Sequence, residues 1–177
     1  MARKKSMKSI HIESENPEHH WNHLDVDGEI VLDLGCGKHL VEDDWLTTPE
    51  YFLSKGATFL IGVDPHEEDI KWYQANVAQQ KSGFFVDFID SARKIETYIN
   101  HNGITSLKMD IEWKEEFFMK TTSNFPSLKH IAVETHSREL FHDMIFKLLD
   151  LGFDIDYIGT FYPRVFKICN MIYATRK

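Results

Sequence analysis

With 177 residues and a mass of 20.8 kDa, the chain has material for one domain and not comfortably for two. Hydrophobic residues make up 42% and charged residues 27%, no run approaches the roughly 18 apolar residues of a membrane span, and the basic stretch Arg3, Lys4, Lys5 and Lys8 is followed by polar residues where a signal peptide needs an apolar core. The net charge is -8, and because those four basic residues stand among the first nine without an acid, the remainder is at -12, a sign that repels phosphate backbones and makes nucleic acid an unfavoured partner.

Cys36 and Cys169 are the only cysteines, so a disulfide framework is excluded and a reducing, cytoplasmic location is expected. Residues 1–27 are polar and rich in His and Glu, and they read as a partly flexible arm. From residue 28 to 177, short apolar β-rich runs alternate with helical patterns. Strands are expected at Ile30–Leu34, Thr58–Val63, Phe84–Ile89, Ser106–Ile111 and Leu128–Val133. Helices are expected between them. One starts at Thr48-Pro49, one carries Ile70, Tyr73 and Val77, one follows Ser91, a short one covers Lys114–Lys120, and an amphipathic one covers Arg138–Leu151. Asp154–Tyr162 and Val165–Ala174 form a closing hairpin through Pro163. Phe117, Phe118, Phe141 and Phe146 are expected in the core. Five strand–helix units and a final hairpin predict an α/β three-layer sandwich, a seven-stranded and mostly parallel sheet with helices on both faces. In such open sheets ligands bind outside the carboxyl ends of the strands.

The residues past each strand are therefore the candidates. The first strand runs into Asp33-Leu34-Gly35-Cys36-Gly37, where alternate glycines permit a tight turn and close ligand approach, and where Asp33 can receive a cationic amine. The second ends in Asp64-Pro65, an acid placed to hold a ribose diol. Past the third, Asp87 is placed to accept from an exocyclic amine. Asp110 and Glu112 past the fourth strand, and Glu134 and His136 past the fifth, are each two residues apart and so point the same way in extended backbone. These four suit a general base, with His136 or Glu112 as its seat, or a divalent metal with mixed oxygen and nitrogen ligands. They are assigned here to catalysis, without a metal.

Together the Asp33–Gly37 turn, the Asp64 tip and the final hairpin resemble the Rossmann-like class I methyltransferases that use S-adenosylmethionine. Within that group, Leu107-Lys108-Met109-Asp110-Ile111-Glu112 resembles the Leu-Lys-Ile-Asp-x-Glu motif of the FkbM type, and the resemblance extends over residues 29–177. It implies the strand order 3-2-1-4-5-7-6 for this open sheet. It also implies S-adenosylmethionine as cofactor, with Asp33, Gly35, Cys36 and Gly37 at its methionine part, Asp64 and Pro65 at the ribose and Asp87 by the adenine. Asp110, Glu112, Glu134 and His136 would face the reacting end. Two positions depart from the family pattern. His39 stands where a third small residue completes the glycine turn, and Trp113-Lys114-Glu115 stands where the family has Gly-Ala-Glu.

The expected activity is methylation of a hydroxyl oxygen on a small or sugar-like acceptor. The alternatives are nitrogen methylation of a protein or nucleic acid, or a non-catalytic cofactor-binding module. A fold of about 150 residues leaves little of the chain for a substrate domain. The acceptor is thus expected to be small, to be gripped by loop 38–48 and the arm, or to be presented by a second copy or partner subunit.

Overall fold

Seven strands form one sheet in the order β3-β2-β1-β4-β5-β7-β6. The computed structural model describes residues 21–37, 46–77, 81–161 and 169–176. His39, most of loop 38–48, the histidines before Trp21 and the Pro163 turn lie outside them. The strands are β1 (Ile30–Leu34), β2 (Phe59–Asp64), β3 (Ser82–Val86), β4 (Ser106–Met109), β5 (His130–Thr135), β6 (Asp154–Phe161) and β7 (Cys169–Thr175). Between them lie α1 (Thr48–Ser54), α2 (Glu67–Asn76), α3 (Ala92–His101), α4 (Glu116–Met119) and α5 (Arg138–Asp150). β1 to β5 pair in parallel, and β7 runs antiparallel between β5 and β6. The chain thus has the predicted three-layer sandwich with its terminal hairpin.

The two faces follow from the period-two alternation of buried strands. Leu32 and Leu34 of β1, Leu107 and Met109 of β4, and Ile131 and Val133 of β5 turn to one side, where they meet Ile95 and Ile99 of α3, Phe118 of α4, and Met144 and Leu148 of α5. Val31, Leu60 and Ala132 turn to the other side, against Phe52 of α1 and Ile70 and Tyr73 of α2. Trp21, Leu24 and Val26, at the end of the expected arm, are buried in this second layer.

Local differences from expectation are small and have physical causes. The cap of α1 is Thr47, one residue before the expected Thr48, because Glu50 reaches back to both the Thr47 backbone N–H (3.0 Å) and its hydroxyl (2.7 Å). β3 ends at Val86, three residues early: the Asp87 N–H still donates to the Asp64 carbonyl (3.2 Å), but the Asp87 carboxylate takes the backbone N–H of Phe88 and the ladder goes no further. Phe118 is fully buried, and Phe117 and Phe141 pack at the edge of the core. Phe146 corrects the expectation: it is 70% exposed on α5, off the stripe marked by Met144 and Leu148.

Replacing Phe118 by Ala removes a fully buried ring and is expected to cost about 3–5 kcal/mol. Phe146→Ala is expected to stay within about 0.5 kcal/mol. Urea unfolding midpoints of the two variants check both.

Candidate active site

The turn after β1 is shaped by the strand beside it. Gly35 has φ +80°, and a Cβ there would stand 1.7 Å from the carbonyl oxygen of Asp110. Its lack of a side chain therefore serves the packing of the β1 turn onto the end of β4 as well as the turn itself. Cys36 can meet a cofactor only through its backbone. Its side chain is buried in the second layer, its N–H donates to Val63 (3.3 Å), and its carbonyl accepts from the Tyr73 hydroxyl (2.6 Å). Burial pushes the thiol well above the usual cysteine range, so it is no nucleophile. Gly37 is half-buried at the end of the described part of the turn.

Asp33 is fully buried, and its nearest partner is one the sequence reading passed over. In the parallel register of β1 and β4, Asp33 stands opposite Lys108. The Lys108 ammonium lies 3.0 Å from Asp33 Oδ1, donates to the Gly35 carbonyl at 2.6 Å, and is 4.0 Å from Asp110. The Trp21 ring covers it, with the ammonium 5.0 Å from the ring centre. Burial works against the Lys108 charge, but Asp33 and Asp110 outweigh it and hold the lysine above its ordinary pKa. Burial also raises the Asp33 carboxyl, with Lys108 opposing. Asp33 is therefore first the counter-ion of Lys108, and a cationic amine would reach it only as a second partner.

Asp64 ends β2 with its side chain almost fully buried. Its Oδ1 accepts from the His66 backbone N–H (2.9 Å) and faces the His66 ring nitrogen (2.8 Å), while Oδ2 accepts no hydrogen bond among the described residues. Pro65 is exposed and turns the chain into α2. Asp87 is occupied locally: it accepts from Phe88 N–H (2.8 Å), Lys94 (2.7 Å) and the Tyr98 hydroxyl (3.0 Å). Burial opposes the Asp87 charge, but these donors outweigh it and hold the carboxyl below the usual range. These bonds anchor the β3–α3 turn and leave the Asp87 side chain 28% exposed at the strand end.

The four residues past β4 and β5 do converge. The His136 side chain is only 3% exposed, and its Nε2 lies 3.7 Å from Asp110, 3.6 Å from Glu112 and 3.7 Å from Glu134. Its Nδ1 is 2.9 Å from Glu115 Oε1, which also accepts from the Ile111 N–H at 3.3 Å. Glu115 is fully buried and was missed in the sequence reading. It is the one residue of Trp113-Lys114-Glu115 that matches the Gly-Ala-Glu of the motif the sequence resembles, and that match was the available signal. Burial opposes a charge on His136, but the Glu115 hydrogen bond and the Glu115, Asp110 and Glu134 charges push its pKa up to about 9. The imidazole is thus protonated at neutral pH and is not a free base there.

Glu112 and Trp113 have φ of +44° and +71°. That region suits glycine, which the FkbM-type motif that the sequence resembles has at this position. Trp113 holds the conformation nonetheless, 50% exposed, with its ring 5.7 Å from the His136 ring.

Strand order and terminal hairpin are those of the Rossmann-like methyltransferase fold. No family model and no curated protein matches the chain. Among solved structures, the chain is similar to the magnesium protoporphyrin IX methyltransferase of Synechocystis PCC 6803 with bound SAH, at 16% identity and a TM-score of 0.58, over 86% of this chain and 76% of that one. It is also similar to a candidate tRNA methyltransferase of Streptococcus pneumoniae in complex with S-adenosyl-L-methionine, at 14% identity and a TM-score of 0.59, over 85% and 67%. A candidate RNA methyltransferase of Pyrococcus horikoshii gives 14% identity and a TM-score of 0.55, over 86% and 76%.

Two measurements test the electrostatics. Lys108→Met leaves Asp33 buried without its counter-ion and is expected to cost about 3–5 kcal/mol, most of it recovered in the double variant with Asp33→Asn; thermal or urea unfolding reads both. In protein freed of divalent ions, the His136 ring resonances should titrate near pH 9 by NMR, and Glu115→Gln should lower that midpoint. Because the folded pKa is raised, the stability His136 contributes is complete below the ordinary value of 6.5 and is lost as pH rises through about 9.

Proposed function

We propose that the protein is an S-adenosylmethionine-dependent methyltransferase of the FkbM type that methylates a hydroxyl oxygen of a small or sugar-like acceptor. The observation that carries this reading is the alignment of three features along one edge of the sheet. These are the glycine turn after β1, the buried Asp64 with one oxygen uncommitted after β2, and the acid–histidine group after β4 and β5. The cofactor fits that edge. Asp64 Oδ2 suits a ribose hydroxyl, and the carboxylates of Asp110, Glu112, Glu115 and Glu134 outnumber the Lys108 and His136 cations there, which favours a sulfonium and an ammonium. The three solved methyltransferases support the same reading, two of them holding this cofactor or its demethylated product. Glu115 at the family's glutamate position supports the FkbM type.

When bound, the cofactor supplies a methyl carbon on a sulfonium: a C–O bond forms to the acceptor, the C–S bond breaks, and its electron pair stays on sulfur as a neutral thioether. The chain's task is alignment and removal of the acceptor proton. The carboxylates at the β4 and β5 ends are placed to take that proton, and Glu112, 61% exposed at the side chain, is the most accessible of them. The strand tips hold these groups against rigid backbone, with Gly35 seated on the Asp110 carbonyl. The charge of -8 on the chain keeps nucleic acid the less favoured acceptor.

Calorimetry with S-adenosylmethionine and its demethylated product tests the reading on the full chain. Both are expected to bind, and Asp64→Ala is expected to weaken both by about tenfold to a hundredfold, the loss of one or two charge-assisted hydrogen bonds. Absence of binding by the wild type overturns the reading.

A further inference from the structure

We propose that Asp110, Glu112 and His136 form a binding site for one divalent first-row metal ion, with Glu134 alongside and Glu115 as the residue that orients the imidazole. The three residues each offer one ligand atom, and these atoms all lie within 4.8 Å of one another. Carboxylate oxygen and imidazole nitrogen bind such ions at about 2.0–2.2 Å, so two donors on one ion stand about 3.0–3.6 Å apart. The Nε2 atom of His136 is 3.6–3.7 Å from an oxygen of each of Asp110, Glu112 and Glu134. That is beyond hydrogen-bond length and within a few tenths of an ångström of a shared coordination shell.

A second observation concerns the imidazole itself. Its side chain is 3% exposed, and among the described residues Nε2 makes no hydrogen bond although it faces three carboxylates. The other nitrogen, Nδ1, is held at 2.9 Å by Glu115, whose remaining oxygen is buried and accepts no hydrogen bond. A carboxylate on one histidine nitrogen orients the ring so that, once an incoming ion displaces the Nε2 proton, that nitrogen's lone pair is aimed at the metal, and it raises the ligand's basicity. Surface acidic clusters lack this arrangement. One nitrogen with two carboxylate oxygens suits Mn²⁺ or Zn²⁺ better than Ca²⁺ or Mg²⁺, whose sites are built of oxygens alone.

Three protein ligands leave coordination positions open. If the proposed methyl transfer to oxygen holds, the acceptor hydroxyl enters one of them, its proton is released to water because the ion lowers its pKa, and Glu112 is a ligand and not the base. The ion site does not depend on that reading, but its catalytic role rests on it.

The test is a titration of the full, chelator-treated chain with MnCl₂, read by loss of the free-ion electron paramagnetic resonance signal and by calorimetry. One equivalent is expected to bind in the micromolar range or tighter. Glu112→Gln, at an exposed side chain that leaves the core intact, is expected to weaken binding at least tenfold, and Glu115→Gln about tenfold to a hundredfold. Glu67→Gln, on the exposed face of α2 where Glu67 pairs with Lys71, is expected to change nothing. Circular dichroism confirms that each variant is folded. Absence of stoichiometric binding overturns the site, and so does binding that Glu112→Gln and His136→Gln both leave intact. The titration contains no S-adenosylmethionine, so a chain that binds the ion but not the cofactor keeps the site and loses the methyltransferase reading. A chain that binds the cofactor but not the ion does the reverse.

Discussion

The buried ion pair between Lys108 and Asp33 is the constraint on which the candidate site depends. It joins the two central strands at their carboxyl ends, and its hydrogen bond to the Gly35 carbonyl fixes the path of the turn after β1. Two desolvated charges are expensive to keep, and removing either leaves the other stranded. Such a pair is justified by position more than by stability. It sets the β1 turn and the Asp110 tip at one distance from each other, and it keeps an ammonium beside carboxylates that would otherwise repel.

From that anchor the site divides into two halves of different character. Toward β2, Asp64 is held by His66 on one oxygen and presents the other, an arrangement suited to a neutral hydroxyl pair. Toward β5, four carboxylates surround one imidazole, an arrangement suited to positive charge. The sheet order places the glycine turn between these halves, so a molecule with a ribose at one end and a cationic centre at the other matches the edge as a whole. The same logic explains why His136 is protonated in the absence of other cations: it is itself the charge that the carboxylates collect.

Much of this was legible in the sequence because parallel strands buried on both faces declare themselves as apolar runs, and the acid at each tip marks where the run stops. Asp110, Glu112, Glu134 and His136 converge, although Glu112, at φ +44°, has left the extended backbone that the two-residue spacing assumes. Lys108 was not legible as a partner of Asp33. It is the polar position between Leu107 and Met109, and only the β1–β4 register brings it opposite the acid. Nor were the partners that Cys36 and Asp87 have within the chain, Tyr73 on α2 and Lys94 and Tyr98 on α3. Those partners lie on neighbouring helices, and spacing along the chain does not reveal which helix residue reaches back. Glu115 was visible as a match to the family pattern, but its role needed the geometry of His136.

Gly35 gives the arrangement its mechanical character. With no room for even a methyl group between it and the Asp110 carbonyl, the turn that would cradle one ligand and the strand tip that would hold another are packed in direct contact. Neither can be retuned alone: a substitution that reshapes the turn shifts the acid tip with it. The two half-sites are thus bound to change together, and the route left open for altering what the protein accepts is the outer rim, where the half-exposed Trp113 indole stands away from that contact.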